Sequence, residues 1–292
     1  MPWQIVIVAL ILITSTATVL EKFTLKKEHA LQYLTLVSTL ILIFSLPLVF
    51  LGKINFAIRP VLWMLIALPA ISSSLAALFF DKSLRHLDIS QVLPMMNLST
   101  LITVVAAFLI FGERVNSLQT LGIIFLIMGA YSLEAGSFSN LFNPIKTLIR
   151  NLRSKHQQFI FYSVLLYSIA YLLDKWLLTQ VPILAYLFIN ILYSALFYLI
   201  LTFGLYKGLD DLKTGFAVGG KLILPIALLF LLQSLLLFKS ITLVPLALLI
   251  PLFRLHTLVS SLVGGEILKE KHLAYRAAIA ILMLIGTSIV LR

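Results

Sequence analysis

The sequence predicts an all-α membrane protein of ten transmembrane helices, arranged as two inverted five-helix repeats around a central cavity. Three observations carry that prediction. Hydrophobic residues make up 61% of the 292 positions and charged residues 11%, with a mean hydropathy of +1.09. A soluble domain has about 45–50% apolar and about 25% charged residues, so this chain has too few charges to build a watery shell. Ten apolar runs are long enough to cross a bilayer, and one stretch of the chain repeats itself without a gap.

A hydrocarbon core of ~30 Å needs ~20 apolar helical residues. The runs predict spans over 3–20, 30–51, 60–80, 89–111, 117–133, 159–179, 183–206, 222–238, 243–264 and 273–291. They are solid rather than alternating, which selects helices over barrel strands. The first run has no basic residue ahead of it and no small-residue cleavage site after it, so it is expected to be a span and not a signal peptide. Residues 112–116 and 239–242 are expected to do no more than turn the chain back. The longer linker 134–158 places Ile145, Leu148, Ile149 and Leu152 at helical spacing, opposite Lys146, Arg150 and Arg153. That pattern predicts an amphipathic helix in the membrane interface, with a plain solvated basic linker as the other reading.

Cysteine is absent, which removes disulfides and Cys-based metal sites. No helical His-Glu-x-x-His and no phosphate-cradling Gly-Lys-Ser/Thr loop occurs, so no enzyme and no cofactor is expected. The net charge of +11 sits mostly in short loops, where anionic headgroups lie, and implies a lipid bilayer partner rather than nucleic acid. Loop Lys and Arg divide 14 to six between the two sides, which puts both termini outside by the positive-inside rule, with both termini inside as the other reading.

Residues 82–133 align on 239–290 at an offset of 157. Identical pairs of scarce residue types include Lys82/Lys239, Ser83/Ser240, Pro94/Pro251, Thr100/Thr257, Glu113/Glu270 and Gly129/Gly286. A second patch, at an offset of 153, matches Glu21-Lys22-Phe23 with Asp174-Lys175-Trp176. The expected division is a first repeat at 1–133, the linker at 134–158 and a second repeat at 159–292. Five spans per repeat is odd, so the second repeat enters the membrane from the opposite side. Inverted repeats recur in secondary transporters, because one packing can be drawn in two mirror-related openings.

The stretch Pro94 to Gly129 carries a family resemblance. It contains Phe111-Gly112-Glu113-Arg114, then Gln119-Thr120-Leu121-Gly122, then Met128-Gly129. The chain resembles the drug/metabolite transporter superfamily, as a tandem pair of EamA-type domains. The second copy departs from the pattern: its turn is Leu268-Lys269-Glu270-Lys271, and Ala278-Ile279 replaces the Leu-Gly. Lys22 and Lys175 resemble the lysine that ends the first span in this family and in related sugar-phosphate translocators. The resemblance implies a multi-pass cell-membrane protein that moves a small-molecule substrate, with a cavity between its halves; it implies no particular substrate.

Arg254 is the sharpest single signal, the twelfth of 22 residues in the span 243–264. An arginine at that depth costs ~2.5–3.5 kcal/mol on insertion scales. It therefore faces a wet cavity and binds an anionic group, or it is a structural pair with a carboxylate or with carbonyls near Pro251. His256 is a proton relay or a hydrogen-bonded interior histidine. Asn97 and Ser99 hold the repeat positions of Arg254 and His256, and Pro94 and Pro251 precede them by the same spacing. Each proline removes a backbone donor and predicts a kinked fourth and ninth helix. Lys22 and Lys175 read as a cationic cavity entrance or as interfacial anchors. The candidate substrate-binding set is thus Arg254, Asn97, His256, Lys22, Lys175 and Thr257, with Pro94 and Pro251 as kinks.

Three function classes follow. A secondary transporter of a small anionic or zwitterionic metabolite, working by alternating access with a coupling proton or sodium ion, predicts a polar site at mid-membrane. A membrane enzyme or lipid flippase predicts polar residues clustered near one interface. A structural membrane protein predicts a dry, filled centre.

Overall fold

A computed structural model describes residues 2–25, 30–50, 54–84, 89–135, 155–205, 220–260 and 273–290. Among them the chain forms ten α-helices and no strand. These are α1 (Trp3–Leu25), α2 (Ala30–Phe50), α3 (Pro60–Leu84), α4 (Ile89–Phe111), α5 (Ser117–Ala135), α6 (Lys155–Leu178), α7 (Ile183–Leu205), α8 (Ile223–Leu243), α9 (Leu246–Phe253) and α10 (Leu273–Val290). Helix resumes at 255–260 after a turn at Arg254, and a 3-10 turn, Gly220–Leu222, leads into α8.

Six of the helices, α1, α2, α3, α6, α7 and α8, carry apolar stretches long enough to cross a membrane. The other four contribute shorter apolar stretches, Met96–Phe111, Ser117–Ser132, Leu246–Ser260 and Ala278–Val290. The apolar runs account for this agreement with the expected spans, since in hydrocarbon a segment must satisfy its own backbone groups by coiling. One turn moves. Residues 239–242 are helical, and the helix ends instead before Val244-Pro245. Lys239, Ser240 and Thr242 looked like a polar loop, but the Ser240 hydroxyl folds back on the Leu236 carbonyl at 2.7 Å, which suits a helix as well as a turn. Pro245, which cannot continue a ladder, marks the real boundary. The expected amphipathic helix at 144–153 lies outside the described residues.

The chain divides into two compact units. The first comprises residues 1–78 and 173–243, and the second 79–172 and 244–292, so each draws helices from both ends of the sequence.

In the first unit α1 and α2 pack on α8, and α2 also packs on α7. Tyr33 and Val37 of α2 bury against Ile223, Ile226 and Ala227 of α8, with Leu20 of α1 beside them. Small hydroxyl residues bring helices close. The Thr35 and Thr202 hydroxyls meet at 2.7 Å between α2 and α7, and the Tyr198 hydroxyl donates to the Ser74 carbonyl of α3 at 2.9 Å.

In the second unit α5 packs on α10 along most of its length, and α4 packs on α5 and α9. The α5–α10 crossing depends on missing side chains. A Cβ on Gly122 would sit 2.7 Å from the Gly286 carbonyl, and one on Gly286 would sit 2.9 Å from that of Gly122. α6 lies on α4 through Met96, Ile160 and Val164, and the Ser168 hydroxyl donates to the Ser99 carbonyl at 3.2 Å.

Candidate functional site

The second unit gathers its polar chemistry where α4 meets α9. Pro251 has no N–H, so the ladder of the ninth helix is already short of one rung. Three residues later Arg254 forms a turn, its N–H shared between the Ile250 and Pro251 carbonyls at 3.3 and 3.2 Å. Thr257 N–H then bonds the Arg254 carbonyl at 3.0 Å, three residues back, the tighter 3-10 spacing. His256 Nδ1 donates to the Phe253 carbonyl at 2.6 Å, and its ring packs on Phe253 with centroids 4.5 Å apart. The Thr257 hydroxyl returns to the Arg254 carbonyl at 2.8 Å. His256 and Thr257 thereby satisfy backbone oxygens at the interruption that presents Arg254.

The Arg254 side chain reaches α4. Nε donates to Thr100 Oγ1 at 2.8 Å, and Nη2 donates to the Met96 carbonyl at 3.1 Å and to Ser99 Oγ at 2.7 Å. A guanidinium has five N–H donors. Those three bonds leave the two on Nη1, which no described residue takes and which are not buried. Among the described residues no carboxylate pairs with Arg254. Neutral oxygens hold and aim the fork, its positive charge is not cancelled, and one edge stays open. Such an edge suits a carboxylate or phosphate oxygen.

Asn97 lies one residue from Met96 on α4 and is 3% exposed. Pro94 lies within α4, which continues as helix from Ile89 to Phe111, and its side chain is outside the described residues, as is that of Lys22 in α1. Lys175 is partly buried on α6 and belongs to the first unit. Arg254, Asn97, His256 and Thr257 are therefore gathered within one unit. Sequence reading missed the anchors of Arg254: Thr100 had appeared only as the repeat partner of Thr257, and Ser99 as that of His256. Tyr167 packs beside Met96, and its ring stacks on Tyr171 with centroids 6.5 Å apart.

Two tyrosines also escaped notice. In the first unit the Tyr186 hydroxyl donates to Asp174 Oδ1 at 2.5 Å, and Tyr33 is buried against the start of α8. Tyr33 and Tyr186 are both 0% exposed. The offset of 153 that matches Glu21 with Asp174 also matches Tyr33 with Tyr186, so carrying that patch twelve residues further would have found both.

The sequence model of the EamA-like transporter family matches residues 1–134. No curated protein matches the chain. Among solved structures 28 chains match. One crystal structure, described only as that of a protein, aligns with a TM-score of 0.73 and 13% identity, covering 99% of this chain and 96% of the other. At that identity the likeness speaks for the fold alone.

Proposed function

We propose that this chain, whose residues 1–134 match the sequence model of the EamA-like transporter family, is a multi-pass membrane transporter that carries a small anionic or zwitterionic metabolite, bound through the open edge of Arg254. The observation that carries the reading is the half-used guanidinium: three donors held by α4, two open, and no carboxylate partner among the described residues. A purely structural arginine in hydrocarbon would be expected to spend all its donors on the protein. Asn97, His256 and Thr257 border the same turn and complete the seat.

The mechanism is alternating access by two inverted repeats, 1–133 and 159–292, joined by the linker 134–158. Two contacts support it. Gly129 abuts Met283, and Gly286 abuts Leu126. Adding 157 to 129 and 126 turns the first pair into the second, so the contact is its own image, as a two-fold relation requires. Pro94 and Pro251 lie at equivalent points of the repeats and would serve as their flexing points.

The test is uptake into liposomes holding the purified full chain, screened against organic acids, phosphate esters and amino acids. Uptake of at least one anionic or zwitterionic compound, lost in Arg254→Ala and poorly restored in Arg254→Lys, is the expected result. An Arg254→Ala protein that transports every accepted compound at the wild-type rate overturns the assignment.

A further inference from the structure

The protein-facing side of α6 holds two tyrosines to which the Arg254 site has so far given no role. In this helix Phe161, Tyr162 and Ile169 are exposed and mark the side turned to lipid. Tyr167 and Tyr171 each stand two residues from Ile169, about 160° around the helix from it. Ile160, Ser163 and Val164 share that far side and are buried. The two tyrosines are only partly buried. A large ring left partly uncovered at the centre of a buried face borders open space inside the protein.

That space lies beside the anchored arginine. Met96 packs on Ile160 and Val164 with Tyr167 beside them, and the Ser99 carbonyl accepts from Ser168. Residue numbers on α4 and α6 therefore rise together, and Tyr167 and Tyr171 bracket the level of Thr100. Met96, Ser99 and Thr100 are the three residues that hold the guanidinium. Arg254 is itself partly exposed between buried Phe253 and Leu255. The two tyrosine rings stack with centroids 6.5 Å apart and planes 23° apart, and so present nearly parallel faces.

The repeated stretches differ at these same places. The offset of 153 sets Thr14 and Thr18 against Tyr167 and Tyr171, and the offset of 157 sets Asn97 against Arg254. Residues that serve the shared packing recur in both stretches, as Gly129 and Gly286 do. The ring pair and the charge have no such counterparts, and both lie in the second unit. Together they are complementary to one kind of molecule. A guanidinium fork takes carboxylate or phosphate oxygens. A tyrosine face takes a flat ring, since aromatic pairs gain beyond the area they bury.

We propose that Tyr167 and Tyr171 are the ring-binding wall of the Arg254 site, which makes the transported compound an aromatic or heteroaromatic anion. The anionic group sits on the open edge of Arg254, and the ring lies against the tyrosine faces. The inference rests on the Arg254 reading and narrows its substrate class. A saturated ring of similar size and equal charge enters the same space without a flat face to stack, and so binds more weakly.

Two matched probes, benzoate and cyclohexanecarboxylate, test this at neutral pH on the purified full chain in lipid nanodiscs, with empty nanodiscs as the blank. Saturation-transfer NMR titrations read both affinities. Benzoate is expected to bind about fivefold more tightly, the worth of one aromatic contact. Tyr167→Phe and Tyr171→Phe keep the rings and should keep the preference. Tyr167→Leu and Tyr171→Leu should each reduce it while the affinity for cyclohexanecarboxylate stays put, which also reports that the variants fold. Equal affinities in the wild type, binding of neither acid, or a preference untouched by both leucine variants overturns the proposal. Arg254→Ala separates this inference from the reading beneath it. Two acids bound equally by the wild type and both weakened in Arg254→Ala defeat the ring wall alone. A benzoate preference with undiminished affinity in Arg254→Ala defeats the Arg254 assignment and, with it, the anionic half of the proposal.

Discussion

Glu113 and Leu246 stand 133 residues apart, yet the Glu113 carboxylate accepts the Leu246 N–H at 3.0 Å through Oε1 and the Ala247 N–H at 2.9 Å through Oε2. The first N–H groups of a helix have no partner within it. Pro245 precedes α9 and offers no side-chain cap, so the turn between α4 and α5 supplies one. The negative charge also lies at the positive end of the α9 dipole. Because α9 presents Arg254, this cap holds the start of the helix that carries the site.

Removing the cap should therefore cost stability in a graded way. Glu113→Ala is expected to lose about 1–2 kcal/mol and Glu113→Gln less, since the amide keeps one acceptor. Thermal unfolding in detergent micelles checks the order; equal melting temperatures for Glu113→Ala and wild type would contradict it.

The α5–α10 crossing makes a sharper prediction. Gly122→Ala places a methyl 2.7 Å from the Gly286 carbonyl and must push backbone aside, at about 1–3 kcal/mol. Gly204→Ala, within α7, meets nothing within 4 Å and should be neutral, or stabilising by up to about 1 kcal/mol through helix propensity. Melting temperatures of the two variants should move in opposite directions, or only the first should fall.

Two buried threonines should respond differently to loss of the hydroxyl. Thr14 Oγ1 is buried and has no hydrogen-bond partner among the described residues, so Thr14→Val should be neutral or slightly stabilising. Thr35 Oγ1 meets Thr202 and the Leu31 carbonyl, so Thr35→Val strands a buried hydroxyl and should cost about 1–3 kcal/mol. Paired chemical-denaturation or thermal curves read the contrast.

The anchors of Arg254 should set affinity more than rate. Thr100→Val removes the acceptor of Nε and loosens the fork, and about 1 kcal/mol of weaker binding is roughly a fivefold higher half-saturating concentration. Concentration-dependent liposome uptake should show that rise with a smaller change in maximal rate. An unchanged half-saturation would mean that the aim of the guanidinium does not matter to binding.

The helices were largely legible from the chain because apolar run length is local: each of α1 to α8 begins within four residues of its expected position. The exception at 239–242 arose because Ser and Thr satisfy themselves within a helix as readily as in a turn. The site was half legible. Arg254 stood out because a guanidinium is costly in hydrocarbon wherever it packs. Its partners Met96, Ser99 and Thr100 did not, since a carbonyl and two hydroxyls are unremarkable in sequence. Tyr186 was hidden among ten tyrosines until geometry set it against Asp174.

What this sequence determined by itself was a chain of apolar helices with two scarce-residue patterns repeated at fixed offsets, because hydrophobicity and periodicity are properties of neighbours along the backbone. Only the tertiary structure decided that Glu113 caps α9, that Gly122 touches Gly286, and that Arg254 keeps one edge open. Those outcomes depend on which helix surfaces meet, and residues more than a hundred positions apart are brought within 3 Å only by packing.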